Sequence, residues 1–157
     1  MHVPLTIRDH LDRATTVYPS RIGVIDEPDA PGGGLGEITY GRIGELATAQ
    51  AAALDELGID RGERVAILSQ NAARMLVSFF GVSGWGRVLV PINFRLNSSE
   101  IAYIVEHSGA SVLLYDPEMA DAIVGLDVKH TLELSAATDS QLYKLGTTPE
   151  EWTAPDE

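Results

Sequence analysis

The chain has 157 residues, 45% of them hydrophobic, enough for one domain with a real core and too few for a second independent one. Its 23 acidic and 11 basic residues give a formal charge of -12, with the basic residues scattered. That excludes a sequence-independent nucleic-acid surface, which needs clustered Lys and Arg to displace counterions.

Cysteine is absent, which excludes a disulfide framework, a thiol nucleophile and a thiolate metal site. Met1-His2-Val3-Pro4 has neither a basic region nor an apolar core, so no secretory signal is visible. The most apolar window, Met75 to Ile92, is interrupted by Arg87 and three glycines and is not a transmembrane span. A cytoplasmic protein is the resulting expectation.

In chain order, Thr6 followed by Asp9 is an approximate capping box opening a helix that should bury Ile7, Leu11 and Val17 and stop at Pro19. Ile22 to Asp26 and Glu37 to Thr39 read as short strands joined by PDAPGGGLG, which has the composition of a mobile hairpin connection. From Tyr40 to Leu57 apolar residues recur every three or four positions on an alanine-rich background, predicting a helix that Gly58 ends.

The best-specified part lies within residues 36–116. Val65 to Leu68 is a continuous apolar run, as in a strand covered on both faces, and a helix over 71–84 should turn Met75, Leu76, Phe79 and Phe80 inward. Val88 to Ile92 is the next strand. Asn97 to Glu100 is a capping box opening a helix that buries Ile101, Ile104 and Val105 and ends at Gly109, before a strand over Val112 to Tyr115. A short helix near Met119 to Val124 and a strand near His130 to Leu134 add one more unit. The expected fold is α/β, a mostly parallel sheet of β-α-β units flanked by helices, with an amino-terminal helix and a short β-hairpin. Residues 1–135 form its α/β domain and 136–157 a polar extension.

Several motifs carry less chemistry than they suggest. Gly32-Gly33-Gly34 is ringed by Asp26, Glu27, Asp29 and Glu37, opens no helix and precedes no Lys, so a loop is favoured over a phosphate cradle. Gly81, Gly84 and Gly86 fall at a helix end, whose partial negative charge repels phosphate. Gly81-Val82-Ser83-Gly84-Trp85 lacks the second glycine and the strand-to-helix turn of a hydrolase nucleophile elbow. His2, His10, His107 and His130 show no zinc spacing.

Polar residues at strand ends are the remaining candidates: Ser69, Gln70 and Asn71 after the first parallel strand, Asn93 and Arg95 after the second. Ligands of open parallel sheets bind beyond the carboxyl ends of strands, although capping and loop anchoring explain the same residue types.

ITYGRIGELA (Ile38 to Ala47), GERVAILSQN (Gly62 to Asn71) and VLVPINFRLNSSEIAYIVEHSGASVLLYD (Val88 to Asp116) resemble the N-terminal subdomain of the adenylate-forming acyl-CoA synthetases, or fatty-acid-CoA ligases. The similarity runs from about Thr6 to the carboxyl terminus. Arg74 departs from it, since many relatives carry an acidic residue there.

The resemblance implies an enzyme that activates a fatty or other carboxylic acid with ATP and Mg2+ to an acyl-adenylate, then transfers the acyl group to coenzyme A. Its chemistry needs a Thr/Ser/Gly-rich phosphate loop with a Lys, a Glu on magnesium, an Asp on the ribose and a carboxyl-terminal Lys. None is in this chain, and Thr147-Thr148-Pro149 is no substitute. No catalytic, cofactor or metal residue therefore carries over. The expectation is an N-terminal fragment, ending about where the phosphate loop would begin, inactive alone and self-associating as a homodimer or higher oligomer through an uncovered edge. The alternative is a stand-alone small-ligand-binding or scaffolding α/β module.

Overall fold

The computed structural model describes residues 6–154; Met1 to Leu5, with His2, and Pro155 to Glu157 lie outside it. Its parallel sheet contains β3 (Arg64–Leu68), β4 (Val88–Ile92), β5 (Val112–Tyr115) and β6 (His130–Glu133), in the order β4-β3-β5-β6. Separately, β1 (Ile22–Ile25) and β2 (Glu37–Thr39) form an antiparallel ribbon. The helices are α1 (Ile7–Val17), α2 (Tyr40–Glu56), α3 (Ala73–Ser83), α4 (Ser98–Ser108) and the single turn α5 (Asp139–Leu142), with a 3-10 helix at Pro117–Ile123.

The apolar run in β3 is a strand covered on both faces. Val65 and Ile67 join the core under α2 and α3, whereas Ala66 and Leu68 join the one under α4, and all four are fully buried. β5 divides likewise, with Val112 and Leu114 on the first side and Leu113 on the second. Burying each large aliphatic side chain contributes about 1.5–3 kcal/mol, so this alternation holds both helical layers to one sheet.

Local signals set the ends of the elements. Thr39 closes β2 and caps α2, its hydroxyl accepting from the Arg42 N–H at 3.2 Å. Asn97 and Glu100 complete a reciprocal capping box on α4. Gly109 ends that helix at φ 60, and Arg64 donates to the Ser108 and Gly109 carbonyls there. At α1 the Asp9 carboxylate accepts from both the backbone N–H and the hydroxyl of Thr6.

Three expectations are corrected. In α1 only Leu11 is buried; Ile7 and Val17 are exposed, because α1 is an outer helix touching the core along a narrow stripe. In α3 the inward face is Ala73, Arg74, Val77, Ser78, Gly81 and Val82, while Leu76 is exposed and Met75, Phe79 and Phe80 are half-buried. The cause is close packing on α2: a Cβ at Gly81 would collide with Gln50 and lie 3.0 Å from the Ala47 carbonyl oxygen, so the face that carries Gly81 is the one that fits against α2.

Thirdly, the glycine-rich connection is laced to the sheet rather than loose. A Cβ on Gly32 would strike the Leu134 carbonyl, and the Gly32 carbonyl accepts from the Ala136 N–H at 2.9 Å. The segment after Ser135 packs back as well. Leu142 and Tyr143 enter the core, the Lys144 N–H reaches the Ala49 carbonyl, and the Trp152 indole lies over Gly86.

Candidate functional site

Sheet connectivity creates one place suited to a ligand. β3 leads through α3 to β4 on one side, whereas β5 leads through the 3-10 helix to β6 on the other, so the crevice between the carboxyl ends of β3 and β5 is a topological switch point. Ser69 and Gln70 stand on one lip and Asp116 on the other.

The protein fills this crevice itself. Asp116, 2% exposed, accepts from the Ser69 hydroxyl at 2.9 Å and from the Gln70 backbone N–H at 2.7 Å. Gln70 Nε2 donates across the same gap to Glu118 at 3.0 Å. Burial pushes the Asp116 carboxyl up from its ordinary range and Glu118 adds to that, while the two hydrogen bonds and Arg74 pull the other way.

The neighbouring helix start is also occupied. α3 has no capping side chain of its own at Ala72, and Asp26, from the end of the ribbon, accepts from the Ala73 N–H at 2.6 Å while binding the Leu35 N–H at 2.8 Å. At the next residue, Arg74 forms a two-pronged pair with Asp139, at 2.9 and 2.8 Å, and donates to the Gly33 carbonyl at 2.5 Å. Burial works against the Arg74 charge, but Asp139 more than offsets it and the guanidinium pKa is raised.

Of the sequence candidates, Ser69 and Gln70 belong to this network. Asn71 is exposed and lines a 420 Å³ groove between β1 and α3. Asn93 and Arg95 are exposed at the end of β4, where the Asn93 side-chain oxygen accepts from the Arg95 N–H at 3.0 Å and the guanidinium lies over Phe94. That is a local turn. Sequence reasoning passed over Asp116 and Asp26, although the strand-end rule that selected Ser69 also applies to Asp116, the first residue after β5. Among the described residues no three His, Cys, Asp or Glu side chains cluster tightly enough to hold a metal.

Chemically the arrangement is closed to anions. The Gln70 and Ala73 N–H groups, at the two ends of the β3–α3 turn, already serve carboxylates, and the buried Arg74 guanidinium beside them is spent on Asp139 and Gly33. A phosphate arriving here would meet the Asp116 and Asp26 carboxylates, an approach of like charges.

A family model described as AMP-binding enzyme matches residues 11–157. The long-chain-fatty-acid–CoA ligase of Thermus thermophilus is 36% identical over 119 residues, covering 76% of this chain and 21% of that protein. Long-chain-fatty-acid–CoA ligase FadD13 of Mycobacterium tuberculosis is 38% identical over 86 residues, 55% of this chain and 17% of the relative. The chain thus spans about a fifth of the length of these relatives. Among solved structures, the N-terminal domain of FACL13 from Mycobacterium tuberculosis has a TM-score of 0.81 at 28% identity, covering 98% of this chain and 40% of that one.

Proposed function

The chain belongs to the AMP-binding enzyme family, and we propose that it is the N-terminal α/β portion of an ATP-dependent ligase joining a fatty or other carboxylic acid to coenzyme A through an acyl-adenylate. The observation that carries this reading is the match of 98% of the chain, at a TM-score of 0.81, to the N-terminal domain of FACL13. In this reading the complete reaction draws on ATP, Mg2+ and coenzyme A, and residues 6–154 supply scaffold.

The residues present do not fit ATP. The switch-point crevice, where a parallel sheet would receive a nucleotide, is filled by Asp116 and flanked by Asp26, and no lysine-bearing glycine loop occurs in the 157 residues. In this reading the catalytic, nucleotide-binding and metal-binding groups of the ligase lie outside these residues. Alone, the chain forms neither adenylate nor thioester.

A pyrophosphate-release assay with ATP, Mg2+ and a fatty-acid panel tests this, with a signal no higher than the protein-free blank expected. Sustained turnover by the purified chain would overturn the reading. Calorimetry should likewise find negligible ATP affinity.

The same proposal places the protein in the cytoplasm, where ATP and coenzyme A are available; no helix among the described residues is long and apolar enough to cross a membrane. Self-association also belongs to it, since β4 is paired on one side only among the described strands and Val88 is 47% exposed. Sedimentation should show a dimer or larger species, and a clean monomer at high concentration would count against that part.

A further inference from the structure

We propose that the groove between the start of α2, the end of the β1–β2 ribbon and α5 is a binding site for a small amphipathic anion, one negative group on a short apolar body. This site is separate from the switch-point crevice, and it stands or falls independently of the ligase reading.

The groove has a volume of 610 Å³, in the range of small-molecule sites, and it is divided chemically. Leu35, Ile38 and Leu46 make an apolar wall, and Arg42 and Lys144 bring two cations to the rim. In a chain with only 11 basic residues and a net charge of -12, two of the cations meet at this one groove, each beside a carboxylate on its own helix or on α2.

Both cations are available to a ligand. Arg42 pairs with Glu45 at 2.9 Å and Lys144 with Glu56 at 3.1 Å, but all four side chains are substantially exposed, and surface pairs of this kind exchange at little cost. The acid that also lines the groove, Asp139, is already neutralised by its two-pronged pair with Arg74.

Tyr143 supplies the second, independent sign. It lines the groove, is 5% exposed, and its hydroxyl has no hydrogen-bond partner among the described residues. A buried polar group without a partner calls for one, and a ligand anion that enters beside Arg42 and displaces the packing over the buried hydroxyl would supply the missing acceptor. Burial raises the phenol pKa, so this group is a donor at neutral pH.

The test is an NMR titration of the uniformly 15N-labelled chain with octane-1-sulfonate, alongside methanesulfonate for the charge alone and octan-1-ol for the apolar body alone. Saturable shifts centred on Arg42, Tyr143 and Lys144 are expected with octane-1-sulfonate and not with the other two. Arg42→Gln should weaken binding roughly tenfold and Tyr143→Phe about threefold, each with an otherwise unchanged spectrum, whereas Lys129→Gln, an exposed cation elsewhere, should change nothing. Lys144→Gln serves as a second charge probe. The proposal is overturned by the absence of saturable shifts, by equal binding of octan-1-ol, by shifts spread over the surface, or by full-affinity binding in both the Arg42 and Tyr143 variants.

Discussion

Asp116, at the end of β5, accepts the backbone N–H of Gln70, at the end of β3, over 2.7 Å, so two residues 46 positions apart close the crevice in which a parallel sheet ordinarily holds its ligand. The Ser69 hydroxyl donates to the other carboxylate oxygen. An internal carboxylate thus takes the donors an external anion would need.

This closure has a pH signature. A carboxyl whose folded-state pKa lies above its unfolded value holds its proton more tightly when folded, so its stabilising contribution is present below the unfolded pKa and lost as pH rises through the folded one. Asp116→Asn should therefore be neutral to stabilising near pH 7, by on the order of 1 kcal/mol, and should lose its advantage toward pH 4. Asp116→Ala should instead lose about 1–3 kcal/mol at both pH values, because the Gln70 N–H and the Ser69 hydroxyl are left unpaired. Urea melts of the three proteins at the two pH values check both signs, and the difference from wild type cancels the other carboxylates.

Glu63 should behave oppositely. Its carboxylate accepts from the Ser111 hydroxyl and the Asp60 N–H, which hold its pKa below the usual range with smaller help from Lys129 and Arg64. Its contribution is present above the unfolded pKa and lost as pH falls through the folded one. Glu63→Gln should destabilise slightly at pH 7, by under about 1 kcal/mol, and converge on wild type in acid, as thermal melts across pH would report.

Gly81→Ala pits local preference against packing. Alanine favours helix over glycine by about 1 kcal/mol, but here its methyl would be forced against Gln50 and the Ala47 carbonyl. Overpacking of a tight contact costs about 1–3 kcal/mol, so net destabilisation is expected in denaturant melts. A stabilised variant would mean that α2 and α3 separate freely.

Arg74→Ala removes the charge that Asp139 and the Gly33 carbonyl share. With Asp139 left one-third exposed, the loss should be about 3 kcal/mol, the lower end for breaking a buried pair. Because Arg74 joins α3, the glycine loop and α5, limited proteolysis should then cut near residues 32–34 and 136–142 before elsewhere. Arg74→Met, which keeps the packing volume, should retain part of that protection.

How far the sequence could be read varied with the range of the interaction. β4 and β5 fall where the apolar runs place them, and the Asn97–Glu100 box and Gly109 end α4 as their residue types require. The family resemblance read from Ile38 to Asp116 agrees with the AMP-binding match over residues 11–157. Ser69 was legible as a strand-end group, but its partner was not: nothing local to Asp116 says that Gln70 lies against it.

The sequence by itself determined the bounds of α2, β4, α4 and β5, the α/β class and the family, because caps, turn glycines and side-chain periodicity act within a few residues of one another. Only the tertiary structure decided which face of α3 turns inward, that the glycine loop is bound to Leu134, Ala136 and Arg74, and that Asp26 and Asp116 occupy the donors of the β3–α3 turn. Those outcomes depend on close approach of groups tens of positions apart, where a missing Cβ or a single carboxylate selects the packing and local periodicity carries no signal.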